Sequence, residues 1–485
     1  MTRASPACRS PSPSSSRACR RSHREPRGPT LGPAVERAYE CLIIGGGPAG
    51  GTLALLLARQ GISVALVDDG RAHQSGPYET VLAAGRRAFE QLDLVGPDVG
   101  VVPDPMRHGA IWGADDVVWR DDEAPGLLVD RAVFDRGLRD RVRQAGGVVY
   151  EGVRAEPFGS AYRCGDDVVR ARRVAYATGR SRVAELPSPT AVGAASVAIT
   201  VHAEPAAHDR GRAVVEGVPD GWIWTHAPAR GVASAAVFVD RQSLQGRRSR
   251  DVVAERLRSA SGPAARLTAW RVRHGNDATA RCRPVDGDRL VLGDAAACID
   301  PLGSQGIEKA VAAAQHAASV VRSGLEHASW WPRLLRVHHR WECDLQRAHL
   351  RVAADYYARE VRFADRPFWL RRAEAMVAPA VPSGALQFRS DLEPARVLSR
   401  NGASFCEADG FCDPTTGDAW SRVGRVPLRE LRQLFATPRT VHDAVRAAGE
   451  LPSLFVLSPA EVQAAIEALF TRGWLVPAPP AAEPR

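Results

Sequence analysis

"ECLIIGGGPAGGTLALLLARQGISVALVDDG", Glu40–Gly70, decides the fold. A short apolar strand, Cys41–Ile44, runs into Gly45-Gly46-Gly47-Pro48-Ala49-Gly50, which opens an apolar helix ending near Gln60. A second strand, Ile62–Val67, stops at Asp68. Glycines spaced G-x-G-x-x-G between two strands, with an acid closing the second, predict a dinucleotide-binding turn. Gly45 permits the tight turn, Gly47 lets backbone approach a pyrophosphate, and Gly50 lets helix and strand pack closely. Pro48 and Ala49 begin the helix, whose N–H groups and dipole favour phosphate. Asp68 then accepts hydrogen bonds from the adenosine ribose.

That turn does not separate NAD from FAD. "GDAAACIDPLGSQGIEKA", Gly293–Ala310, does. It follows the apolar strand Arg289–Leu292, so Gly293-Asp294 puts a carboxylate at a strand's carboxyl end, where it can accept from a ribityl hydroxyl. Pro301, Gly303, Gln305 and Gly306 make a loop suited to pass an isoalloxazine ring. The helix from Ile307 then aims its N-terminal dipole at the N1/O2 edge, stabilising an anionic reduced flavin. An ordinary strand-loop-helix crossover with an Asp cap is the bland alternative. Two glycines, a Pro and a Gln within six residues count against it. In "VDRAVFDRGLRDRVRQAGGVVYEG", Arg131 stands at the start of an amphipathic helix, as a flavin contact or a solvated side chain. "ATGRS", Ala177–Ser181, ends another strand in a small-residue turn.

With 485 residues and 45% hydrophobic content the chain can bury a large core. Its net charge of +9 could suggest nucleic acid, but much of the excess sits in residues 1–37, a Ser-, Pro- and Arg-rich stretch read as a disordered tail. No secretory h-region and no long apolar run is present, so the expectation is a cytoplasmic protein with neither membrane nor nucleic acid as partner. The nine cysteines are scattered, and Cys406 and Cys412 lack a second Cys/His pair, so reduced thiols and no metal site are expected.

Together the three segments resemble the group of aromatic monooxygenases, flavin-dependent halogenases and geranylgeranyl reductases, over about residues 40–375. "DPLGSQGIEKA" (Asp300–Ala310) and "DYYAREVRFADRPFWLRR" (Asp355–Arg372) look further like flavoprotein maturases of tryptophylquinone enzymes. The resemblance implies an α/β fold, with a glutathione-reductase-type FAD-binding Rossmann domain interleaved with a β-sheet substrate domain. The domains expected are 38–375 for the FAD-binding unit, with the substrate sheet at about 182–280. It also implies hydroxylation of an aromatic ring through a flavin C4a-hydroperoxide, in a Trp side chain of a peptide or protein or in a small aromatic metabolite. No second glycine motif supports a separate NAD(P)H domain, so electrons come from transient NAD(P)H or a partner flavin reductase. A flavin-holding binding or regulatory protein is the rival from another class.

Halogenation is testable from residues. The related halogenases use a lysine placed early in the chain, and the matching region Gly76–Leu94 has none. The only lysine is Lys309, behind the flavin loop, and Arg86 or Arg87 is a poor substitute because guanidinium holds its charge. "DGWIWTHAP" places Trp222 and Trp224 on one face of a strand, as a substrate-pocket W-x-W element or as two core tryptophans. Glu79 and His226, with His73, are the candidates for removing a substrate proton. Their bland alternatives are a helix cap for Glu79 and a surface turn for His226.

After "MVAPAVPSGALQ" the chain changes character. Three short helices and a terminal strand are expected within 383–480, a small C-terminal helical, winged-helix-like domain. Ser458-Pro459-x-Glu461 marks a capped helix start. Glu461 and Glu467 replace any basic stripe, which favours a peptide or partner contact over DNA.

Overall fold

The computed structural model describes residues 35–71, 78–120, 125–181, 183–283, 288–374, 381–454 and 456–479. The expected tail up to residue 34 and the candidate His73 lie outside them.

Strand β1 (Glu36–Ile44) enters helix α1 (Pro48–Arg59), which returns to strand β2 (Val64–Asp68). Pro48 opens α1 with its fixed φ, where the missing N–H costs nothing. Helix α2 (Arg131–Gln144), capped by the Asp130 carboxylate on the Ala132 and Val133 N–H groups, leads into β3 (Val148–Glu151). Strand β4 (Asp167–Tyr176) and the short β5 (Leu290–Val291) complete the parallel part of the sheet. Its order is β3-β2-β1-β4, with β5 beside β4. Cys41 faces Val64 on one side of β1 and Arg173 on the other. Covered on both faces, these strands need near-continuous apolar runs, and Leu42, Ile43, Ala65 and Leu66 are fully buried. Helix α3 (Gly306–Glu326) packs beside α1, and α4 (Trp331–Ala358) packs on α3.

β1 begins at Glu36, before the Cys41 read from the sequence and inside the expected tail, because Glu36–Tyr39 extend the ladder with Val168–Ala171. Those residues are mostly exposed, so no apolar pattern announces them.

The second sheet has seven strands. Its spatial order is Thr268–Asp277, Ser196–Glu204, Ala233–Asp240, Gly221–Ala227, Arg212–Val218, Arg107–Ile111 and Val118–Trp119. The last two come from well before residue 182. Arg107–Ile111 joins parallel to Arg212–Val218, a long-range pairing that local sequence does not encode. Val252 and Val253 of the helix Ser249–Arg258 cover one face, over Val201, Ile223 and Val237. The other face carries aromatic rings.

Beyond residue 381 a hairpin, Glu393–Asn401 with Ser404–Cys412, precedes the helices. It was not expected from sequence. Its Leu398 and Phe405 belong to the core built around α1 and α3, and the Phe405 N–H donates to Ser323 Oγ at 2.8 Å. The helices Leu428–Leu434, Val441–Ala448 and Pro459–Thr471 form a separate core around Leu431, Ala444, Ile466 and Trp474. Ser458 and Glu461 make a reciprocal capping box. The terminal strand Leu475–Pro477 pairs with Leu386–Phe388, ahead of the helices, rather than with a chain neighbour.

Candidate active site

The glycine turn is built as its spacing requires. Gly45 sits at φ +108°, and a Cβ there would meet the Ala177 carbonyl oxygen at 2.4 Å. A Cβ on Gly50 would lie 1.9 Å from the Gly45 carbonyl oxygen. Nothing lies within 4 Å of a Cβ on Gly47, so open space faces the N-terminus of α1, which has neither a side-chain cap nor an acid in its first turn. The Gly46 N–H donates to Asp68 Oδ2 at 2.8 Å, and Gly70 N–H to Asp68 Oδ1 at 3.0 Å. Asp68 therefore stands at the end of β2, beside the turn. These residues fit a pyrophosphate on backbone N–H groups with an acid nearby.

Gly293, at φ +66°, donates its N–H to Glu342 Oε1 at 2.8 Å. Asp294 Oδ2 lies 3.2 Å from Arg180 Nε, which brings "ATGRS" against the second flavin motif. Glu342 Oε2 lies 3.1 Å from Lys309 Nζ, and neither side chain is exposed. Burial disfavours the Lys309 ammonium, but the facing Glu342 and Asp294 carboxylates more than offset it and raise its pKa. Lys309 is a sealed structural cation. Glu308, its neighbour, accepts the Leu82 N–H at 2.8 Å and so ties the start of α3 to the segment after Glu79.

The loop Asp300–Gly306 meets two segments remote in sequence. The Tyr357 hydroxyl donates to Asp300, 3.2 Å from Oδ1, and accepts from Trp222 Nε1 at 3.1 Å. Asp300 also accepts the Leu302 N–H at 2.9 Å, and burial pushes its carboxyl above the usual range. Trp222 stacks on Phe238 at 3.7 Å and 10°, while Trp369 donates through Nε1 to the Val218 carbonyl at 3.1 Å. Arg372 lies 3.7 Å over the Phe368 ring. "DPLGSQG", W-x-W and "DYYAREVRFADRPFWLRR" are thus one packed aromatic cluster. Trp222 is 3% exposed and forms the wall itself; Trp224, on the same face, is half-buried.

His226 continues that face one step on. It is buried in the strand Gly221–Ala227, not in a surface turn, with Tyr78 stacked at 5.6 Å and Trp224 at 5.4 Å. Burial pushes its imidazole down to about 4, opposed by Asp104, so the ring is neutral at pH 7. Its Nε2 has no hydrogen-bond partner among the described residues. Glu79 lies in the strand Tyr78–Val81 and caps no helix. Its carboxylate pairs with Arg131 at 2.7 Å, and Arg131 also binds Asp135 at 3.2 Å. Two residues given separate roles from sequence are thus ion-pair partners at the start of α2.

An FAD-binding domain model matches residues 38–108. The fold is shared with the peptidyl tryptophan dihydroxylase QhpG, essential for tryptophylquinone cofactor biogenesis, at TM-score 0.65 and 23% identity, over 90% of this chain and 100% of that one. The flavin-dependent halogenase CmlS aligns at TM-score 0.68 and 17% identity, over 90% and 96%. A digeranylgeranylglycerophospholipid reductase of Thermoplasma volcanium is 24% identical over 342 residues, 64% of this chain and 85% of the relative.

An FAD-binding domain therefore lies at residues 38–108, and the chain shares its overall fold with these flavin-dependent enzymes.

In this flavoprotein, sequence reasoning missed Arg180, Asp300, Glu342 and Tyr357. Asp300 sat inside the quoted loop, where a carboxylate before Pro-Leu-Gly was a usable signal. Tyr357 sat inside the Asp355–Arg372 stretch, while Glu342 lies on α4, where only its polarity on a buried helix face marks it. Among the described residues no cluster of His, Cys, Asp and Glu could hold a metal, and no helix is long and apolar enough to cross a membrane.

Proposed function

We propose that this FAD-dependent oxidoreductase hydroxylates an aromatic side chain, that of Trp, within a peptide or protein. The observation that carries the reading is Lys309. The two solved neighbours spanning nine-tenths of the chain differ in chemistry, one a tryptophan dihydroxylase and one a halogenase. Halogenases of the resembled group need a lysine free to handle hypohalous acid. The one lysine of this chain is fully buried against Glu342. That favours oxygen transfer over halogen transfer.

Gly45, Gly47 and Gly50 with the N-terminus of α1 would hold the pyrophosphate, and Asp68 the ribose. Gly293, Asp294 and the loop Pro301–Gly306 would lie along the ribityl chain and ring. FAD, when bound and reduced by NAD(P)H or a partner reductase, supplies the activation of O₂. The protein does the rest. Trp222, Phe238 and Trp369 form a packed wall that excludes water, and Tyr357 fixes the Asp300 loop to that wall. His226 would accept a proton from the substrate, a role supported by its neutral ring and by an Nε2 without a partner among the described residues.

The test supplies FAD-loaded protein with NADH, a flavin reductase, O₂ and chloride, and offers Trp-containing peptides and free indoles. The expected product carries added oxygen on Trp in a peptide. Chlorine on the product would overturn the Lys309 argument, and oxygen added only to free indoles would move the substrate to a small metabolite.

A further inference from the structure

Cys282 and Cys343 stand apart from the flavin motifs and from the residues given roles above. They are far apart in sequence, yet their sulfurs lie 3.0 Å apart, and both are free thiols. Cys282 ends the short strand Arg281–Cys282, which is held between Thr190–Ala191 and Ala297–Cys298. Cys343 lies on α4, directly after Glu342. Gln346, on the same helix, donates through Nε2 to the carbonyls of Arg281 and Cys298, each at 2.6 Å. Helix and strand are thereby fixed on either side of the sulfur pair. A disulfide bond is about 2.0 Å long, so closure asks each side chain for roughly half an ångström.

The two thiols are not alike. The hydrogen bond from Cys343 pulls Cys282 down to about 7, against the cost of burial and with help from Arg347. The same bond pushes Cys343 up. His339 Nε2 lies 3.4 Å from Cys343 Sγ, and burial keeps that imidazole neutral and able to take a proton. Both cysteines are half-buried. Cys298, on the adjacent strand, is buried and pushed up to about 12, which makes it an internal control.

We propose that Cys282 and Cys343 are a redox-active dithiol that closes to a disulfide on reaction with a peroxide. The Cys282 thiolate attacks one oxygen of H₂O₂ and the O–O bond breaks, leaving a sulfenic acid and hydroxide, which takes up a proton as water. Cys343 then loses its proton to His339, attacks the Cys282 sulfur and displaces the sulfenic oxygen as hydroxide, which leaves as water with that proton. Two thiols are oxidised by two electrons and one peroxide is reduced to two waters. The bond would tie α4 to the strand beside Cys298, clamping the helix whose Glu342 holds the Gly293 turn. This inference is independent of the substrate proposed above.

Full-length protein is treated with H₂O₂, alkylated with and without dithiothreitol, and mapped by peptide mass spectrometry. A Cys282–Cys343 cross-link that dithiothreitol reverses is expected, with a raised melting temperature and Cys298 unmodified. Cys343→Ser should leave a Cys282 sulfenic acid that dimedone traps, and Cys282→Ser should leave Cys343 reduced. Cys282 equally alkylated before and after peroxide, while exposed Cys406 oxidises, overturns the proposal. So does a cross-link from Cys282 to Cys298.

Discussion

Where the chain is cut after the Pro-rich break decides whether the flavin domain survives. A break before Ser383 looks, in sequence, like the edge of an independent module. The hairpin Glu393–Cys412 contradicts that placement, because Leu398 and Phe405 are buried in the core that contains α1 and α3. Removing two such side chains forfeits about 1.5–3 kcal/mol each, roughly 3–6 kcal/mol together. Losing the Phe405 N–H leaves the fully buried Ser323 hydroxyl one partner short, for about 1 kcal/mol more. Against a typical domain stability of about 5–15 kcal/mol this is a large share. A chain ending at residue 382 should therefore load FAD poorly and melt early. A chain ending at residue 420 keeps the hairpin and removes the three C-terminal helices, so it should load FAD nearly as the full protein does. FAD absorbance per protein and thermal melting of the two truncations are the assay. Equal loading and equal melting would refute the assignment of the hairpin to the flavin core. On the longer truncation, weaker binding of a peptide substrate with unchanged turnover of a small aromatic would place substrate docking on the removed helices, since remote contacts supply binding energy that the reacting group does not.

Two glycines of one turn should fail differently. Gly47→Val meets open space at an ordinary extended backbone angle, so the variant should fold and melt normally but purify without FAD; full occupancy would remove the pyrophosphate role. Gly50→Ala puts a Cβ 1.9 Å from the Gly45 carbonyl, so the variant should lose both FAD and thermal stability. His226 gives a pH signature. Its folded value, about 4, lies below the unfolded 6.5, so the unfolded chain takes the proton first. Stability present above about 6.5 is then lost as pH falls toward 4, by about 3 kcal/mol at about 1.4 per pH unit. In denaturant melts across that range, the stability of wild type relative to His226→Phe should fall by this amount at low pH, with His338 acting alike in both. Parallel curves would show that His226 is not buried as a neutral ring.

The glycine turn was legible in the sequence alone. Gly45, Gly50, Pro48 and the acid at Asp68 are local requirements of a strand-turn-helix, and steric limits on φ and on close approach leave few other residues able to fill them. The capping box at Ser458 and Glu461 was legible for the same reason. How the distant segments meet around these motifs was legible only in three dimensions. Arg107–Ile111 joins a sheet whose other main strands begin about ninety residues later; Tyr357 bridges Asp300 and Trp222; Glu342 meets Lys309; and Glu79 meets Arg131. Each of these is a pairing between distant segments, fixed by complementary burial and charge once the sheets have packed. Periodicity within any one segment carries no record of its partner.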